Sequence, residues 1–357
     1  MKNSLLLLIL SFVCALSVHA QDPSKIERLS QQYDYALANG DYASAFQNIL
    51  ELYNETHSFE SAIILACYFY EGIGTEKNLE NTAILYKSVA DATQYDPNNE
   101  LALIMIGFAA RQYALMDYSI NGRFSAESFK YLLKADEVAE DALAQFFLGY
   151  IYMDEGNEFI APGIISSDTS KAITYLDQSS KRNCIAAMVL MGDIYETAGD
   201  KDKAFAYWKR AANTPIFDES LIGGDVSSVL VNPNSKNSPV TVYAQNEAFY
   251  RLAKYYMDMN DTDNAIVWAR KITYDDPLFL DQKAFCYAAN GQKQEAIEIY
   301  MHEYELTQET DVIARLAITH YVLWHDQEEA LRLLEHIKAL GDTRAQQVID
   351  MINSGEY

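Results

Sequence analysis

Along the chain, an alanine is followed four residues later by a large aliphatic and then at once by a small residue. The pattern occurs as Ala102…Ile106-Gly107, Ala144…Leu148-Gly149, Ala187…Met191-Gly192 and Ala248…Leu252-Ala253, with Tyr152, Tyr195 and Tyr256 three places beyond the small residue in the last three. At 3.6 residues per turn these positions share one face, so each predicts an amphipathic helix whose small residue admits a close neighbour. A second pattern sets glycine, or a polar substitute, five residues ahead of an alanine: Gly40/Ala45, Gly199/Ala204, Asn260/Ala265, Gly291/Ala296 and His325/Ala330. This predicts a helix end, a turn at positive φ and a new helix, with the alanine at the crossing of the two. Successive small residues are 42 residues apart (Gly107 to Gly149) and 43 apart (Gly149 to Gly192). Successive turns are 31 apart (Asn260 to Gly291) and 34 apart (Gly291 to His325). Such periods predict repeated antiparallel hairpins, none of which buries its apolar face until it stacks on the next.

The residues Leu65-Ala66…Phe69…Gly72-Ile73-Gly74…Asn78…Ala83…Tyr86…Ala90 are similar to a Sel-one-like unit, including its Gly-x-Gly hook. Gly192…Tyr195 with Ala204…Tyr207-Trp208…Ala211-Ala212 joins that branch's second helix to a shorter tetratricopeptide turn, and the units around Gly291 and His325 have plain tetratricopeptide length. From Lys25 to Asn353 the chain thus resembles the tetratricopeptide-repeat superfamily, Sel-one-like branch. The unit from Ala102 to Ala135 lacks the hook, and the one from Ala144 to Tyr175 carries extra residues, Asn157 to Thr169. The resemblance implies an all-α fold, a right-handed α-solenoid of stacked antiparallel hairpins.

Between Asn213 and Asn246 the helical pattern stops. Pro215, Gly223, Gly224, Pro233 and Pro239 interrupt it, and the stretches Val226 to Val231 and Val240 to Tyr243 are β-branched. The organisation read from the sequence is a signal peptide over 1–20, N-terminal repeats over 21–213, an inserted loop or short hairpin over 214–245, and C-terminal repeats over 246–357. The last of these closes with a capping helix bearing Ala345, Val348, Ile349 and Ile352 on one face. The signal peptide rests on Lys2, on the apolar run Leu5 to Leu10 and Phe12 to Leu16, and on Val18-His19-Ala20, with cleavage expected after Ala20. A periplasmic or secreted protein is expected, with no integral membrane segment after cleavage.

The chain has 357 residues, 27 Lys plus Arg against 51 Asp plus Glu, and a formal charge of −24. That excess repels phosphate backbones, so nucleic acid is not expected as a partner. Cys67, Cys184 and Cys286 remain after cleavage, an odd set spread over the chain, and read as buried hydrophobes. No zinc-protease helix follows His302-Glu303, because Leu306 stands where the second histidine belongs. His320 and His325 read as surface or turn residues, and the 26 tyrosines read mostly as packing positions. No catalytic, metal or cofactor residues are expected.

Counted from each small residue, positions −3, +1 and +4 form a stripe nearly opposite the packing face. From these positions the candidate protein-binding residues are Phe146, Tyr150, Met153, Asp193, Glu196, Tyr250, Lys254 and Met257; Ile104, Phe108 and Arg111 hold the same places one unit earlier. The expected function is a non-catalytic scaffold or adaptor that grips a peptide or protein on its concave surface. The alternative is an exported Sel-one-like hydrolase or β-lactam-binding protein. It resembles cysteine-rich relatives with a cysteine pair in each unit, and no unit here has one.

Overall fold

A computed structural model describes residues 22–153, 160–161, 163–217, 222–223, 230, 232–236 and 238–355. The expected signal peptide lies outside these residues, as does most of Val226 to Val231. Among the described residues there are seventeen helices and no strand. The chain divides into two compact units, one of Met1–Met191 with Pro215–Ser238, the other of Gly192–Thr214 with Pro239–Tyr357.

In the first unit, α1 (Pro23–Ala38) pairs with α2 (Tyr42–Thr56), α3 (Phe59–Glu71) with α4 (Leu79–Ala90), α5 (Glu100–Asn121) with α6 (Ala126–Ala139), and α7 (Ala142–Met153) with α8 (Thr169–Lys181). Each hairpin packs on the next through α2 on α3, α4 on α5 and α6 on α7. Helices α9 (Ile185–Thr197) and α10 (Lys201–Asn213) follow. In the second unit α11 (Pro239–Asp258) pairs with α12 (Thr262–Ala269), α13 (Pro277–Ala289) with α14 (Lys293–Thr307), and α15 (Thr310–Val322) with α16 (Gln327–Ala339). The last helix, α17 (Ala345–Ser354), covers α16 with Ala345, Ile349 and Ile352 buried, the cap that the sequence pattern predicts. Stacking in chain order is the α-solenoid arrangement, and each unit shows it.

The five turn positions, Gly40, Gly199, Asn260, Gly291 and His325, all have positive φ. The five alanines that follow them are fully buried. Side-chain room explains the small residue of the first pattern. A Cβ on Gly107 would stand 2.4 Å from the Cβ of Ala139, one on Gly149 2.6 Å from Leu176 Cγ, and one on Gly192 2.4 Å from Trp208 Nε1. Each glycine therefore faces the second helix of its own hairpin. The acidic excess has a partial local cause. Asp22, Asp41, Asp168, Asp200, Asp261, Asp276 and Asp326 each accept a backbone N–H at a helix start. Such caps satisfy donors that the helix itself cannot pair.

The inserted segment is shorter than the sequence pattern suggests. Helix α11 begins at Pro239, so Val240, Thr241, Val242 and Tyr243, read as a β-branched stretch, lie in its first turns. Proline is preorganised for a helix start, and burial of Thr241 and Ala244 outweighs the weak propensity of β-branched residues. No hairpin forms among the described residues of the segment. Its one isolated bridge, Phe217 with Ser235, is parallel.

Candidate functional site

The first helices of the second unit set side chains in rows at intervals of three and four. On α11 the row is Tyr243, Glu247, Tyr250, Lys254 and Met257; on α13 it is Leu278, Asp281 and Phe285; on α15, Asp311 and Arg315. Tyr243, Leu278 and Phe285 are exposed, and Lys254 and Met257 are half-buried. Tyr250 is only 7% exposed. Its ring lies 5.6 Å from Phe279, which also meets Tyr243 at 5.1 Å and Tyr274 at 6.4 Å. Tyr250, expected as a surface anchor, is instead buried against Phe279, the ring on which Tyr243 and Tyr274 also rest.

Two cation-centred networks tie neighbouring first helices together. Arg251 donates from Nη2 to Asp193 at 2.8 Å and to Glu247 at 3.2 Å, and its Nη1 lies 3.9 Å from Glu196. Asp193 also accepts from Trp208 Nε1 at 3.0 Å, so it fixes the indole that fills the space beside Gly192. Arg315 pairs with Asp281 of α13, with Glu303 of α14 at 2.6 Å and with Asp311 at 3.4 Å. Burial pushes Asp193, Glu247, Asp281 and Glu303 above the ordinary carboxylate range, against the pull of the arginines. Asp193 is therefore a structural partner of Arg251, and Glu196, at the exposed edge of the same network, is the accessible member of the pair.

The three candidates in the first unit behave similarly. Phe146 is buried and stacks on Tyr150 at 5.9 Å, while Met153 packs on the unit's core. In the equivalent positions one unit earlier, Phe108 and Arg111 are buried, and Arg111 Nε lies 3.0 Å from Asp141, which itself caps α7 through the N–H of Ala144. These side chains hold hairpins together. Counting from the small residue missed Arg251, which lies off the stripe, and Tyr243, read as strand. The same count taken from Ala284 gives Asp281 and Phe285.

The cysteines are apart and unpaired with one another. Burial pushes the Cys67 thiol up to about 12 and the Cys286 thiol up to about 11, so both are protonated at neutral pH. His320 departs from its reading as a surface residue. It is buried, edge-on to Trp324 at 4.6 Å with Nδ1 3.3 Å from Asp326, and burial lowers its pKa. It stands at the base of a cleft of about 450 Å³ whose apolar walls include Ile297, Met301, Leu316 and Leu333. Among the described residues no group of His, Cys, Asp and Glu could hold a metal ion, and no helix is long and apolar enough to cross a membrane.

Helical hairpins stacked in chain order define an α-solenoid repeat protein. Residues 247–276, from α11 to the link before α13, match the family model described as tetratricopeptide repeat. The match covers one repeat, and the helical hairpins around it have the same antiparallel arrangement. The Gly72-Ile73-Gly74 hook resembles that of a Sel-one-like unit. No curated protein matches the chain. Among solved structures it is similar to a Sel1 repeat protein from Oxalobacter formigenes, at 17% identity over 87% of this chain and 99% of that one, with a TM-score of 0.45. It is also similar to a protective antigen of uropathogenic Escherichia coli strains displaying an SLR fold, at 13% identity over 92% and 80%, TM-score 0.37. A third is yeast Tom70, at 14% over 96% and 66%, TM-score 0.33.

Proposed function

We propose that the chain is an exported, non-catalytic interaction scaffold that binds a peptide or protein segment on the first-helix face of its second unit. The observation that carries this reading is that α11, α13 and the link before α13 leave Tyr243, Tyr274, Leu278 and Phe285 exposed, with Tyr243 and Tyr274 resting on the buried Phe279. Exposed aromatic and aliphatic side chains held by packing beneath them are the anchors on which binding energy concentrates. Around them stand Glu196, Glu247, Asp281 and Asp311 against Arg251, Lys254 and Arg315, and Glu303 adds a further carboxylate below. Carboxylates outnumber cations there, so the fitting partner is a segment with lysines or arginines interspersed among apolar side chains.

Peptides selected by panning a random library against the full chain are expected to be net positive. Their affinity should fall about fivefold to tenfold with Glu196→Lys and rise with Lys254→Glu, both effects shrinking as salt increases. Selection of net-acidic peptides, or the opposite response to the two charge changes, would reject the reading. Export has a separate test. The mature protein from the cell envelope or medium should begin at Gln21 by N-terminal sequencing, and a mature chain that retains Met1 would count against it.

A further inference from the structure

The cleft of about 450 Å³ in the second unit is lined by α14, α15 and the start of α16, and it shares no residue with the peptide face proposed above. Ile297 and Met301 on α14, Leu316 on α15 and Leu333 on α16 give it apolar walls. Its polar groups gather around His320 and the start of α16. His320 Nδ1 lies 3.3 Å from Asp326 Oδ2, and a carboxylate can only accept, so Nδ1 carries the proton of this bond. Burial lowers the His320 pKa, whereas hydrogen bonds, led by the N–H of Glu329, hold the Asp326 carboxyl below its ordinary range. At neutral pH the ring is therefore uncharged, and its second nitrogen, Nε2, is an acceptor.

The charges around the ring also favour a donor. Lys293 Nζ pairs with Asp326 at 3.3 Å, and Arg332 pairs with Glu329 through Nε at 2.6 Å. Those two pairs cancel. Glu328, the third carboxylate of the cleft, is exposed and has no ion pair among the described residues, so the cleft carries one negative charge in excess. Lys293 shows what this end of the cleft stabilises, since its ammonium lies 4.8 Å from the centre of the Trp324 ring as well as beside Asp326. Pockets of about 300–1,000 Å³ with apolar walls and a few convergent polar groups are the usual form of a small-molecule site. We propose that this cleft binds a small aliphatic amine, with its chain along the four apolar side chains and its ammonium donating to His320 Nε2 beside Glu328. An acid of the same length would set its carboxylate against Glu328 and against a ring nitrogen with no proton to give. An alcohol would donate to Nε2 but gain nothing from the excess charge.

The probe is n-hexylammonium chloride, titrated into the full chain and followed by the methyl resonance of Met301, assigned with Met301→Leu. The resonance should shift saturably, with an affinity at least fivefold above that of hexanoate or hexanol, and methylammonium should not shift it at the same concentrations. Glu328→Lys should weaken hexylammonium at least fivefold, an effect that shrinks as salt increases. The His320 Nε2 resonance should be that of an unprotonated nitrogen and should move as amine is added. Hexanoate or hexanol binding as tightly, an affinity indifferent to Glu328→Lys, a protonated Nε2 in the free protein, or no saturable shift in the millimolar range overturns the proposal. A lysine capped at both ends that binds as tightly as hexylammonium would assign the cleft to a partner's side chain and overturn it equally. Should Glu328→Lys alter the circular dichroism, Glu328→Gln takes its place, with an expected loss of at least twofold.

Discussion

Replacing Gly74 with alanine is expected to destabilise the first unit by about 3 kcal/mol or more, among the larger losses a single substitution produces. A Cβ at this position would stand 2.1 Å from the carbonyl oxygen of Tyr42 and 2.5 Å from its carbonyl carbon. These are backbone atoms at the start of α2 and cannot swing aside. Gly74 also has φ +68°, which costs a non-glycine residue about 1–2 kcal/mol before any clash. The hook of the second hairpin is thus the point at which it latches on the first. Gly40→Ala is the control, since Gly40 has nearly the same φ of +69° but no atom within 4 Å of where its Cβ would go. Urea unfolding should show a loss of about 1 kcal/mol for Gly40→Ala and a loss several times larger for Gly74→Ala. Equal losses would mean that the hook does not press on α2.

Arg315→Ala is expected to cost the second unit about 3 kcal/mol, toward the lower end for a broken buried pair because the Arg315 side chain is 29% exposed. Glu303 is the reason, with a side chain only 2% exposed and one carboxylate oxygen, Oε2, without a hydrogen-bond partner among the described residues. Arg315 is what favours its charged form, while burial raises its pKa above the ordinary value. With the arginine gone that pKa rises further. A carboxylate whose folded pKa lies above its unfolded value contributes stability at low pH and loses it as pH rises through the folded pKa. The destabilisation by Arg315→Ala should therefore be larger at pH 8 than at pH 5, and Glu303→Gln added to the variant should recover part of it at pH 8. A loss independent of pH, with no recovery, would show that Arg315 acts through packing alone.

The repeat was legible in the sequence because its requirements are steric and local. Gly40, Gly199, Asn260, Gly291 and His325 could be found as turns because a left-handed residue followed by an alanine at a crossing leaves a fixed spacing, and all five have positive φ. The cap was legible from the single apolar face of Ala345, Ile349 and Ile352. The start of α11 was not, since Val240, Thr241 and Val242 favour strand locally and only the burial of Thr241 and Ala244 makes them helical. The candidate face was half legible. Counting positions placed Lys254 and Met257 correctly on a first helix, but it could not tell that Tyr250 would be roofed by contacts with Phe279, because that depends on how α13 lies against α11. Arg251 and Arg315 escaped for a related reason. Their roles come from carboxylates 58 and 34 residues away, Asp193 and Asp281, and no local pattern marks such pairs.

The central claim is that binding belongs to the first-helix face of the second unit. It is tested most directly by placing a photo-crosslinking residue at Phe285 on α13 and, separately, at Val267 on α12, both of them exposed. Illuminated with a panned basic peptide bound, the full chain should crosslink from position 285 and not from position 267. Crosslinking from 267 alone, or equally from both, would contradict the account.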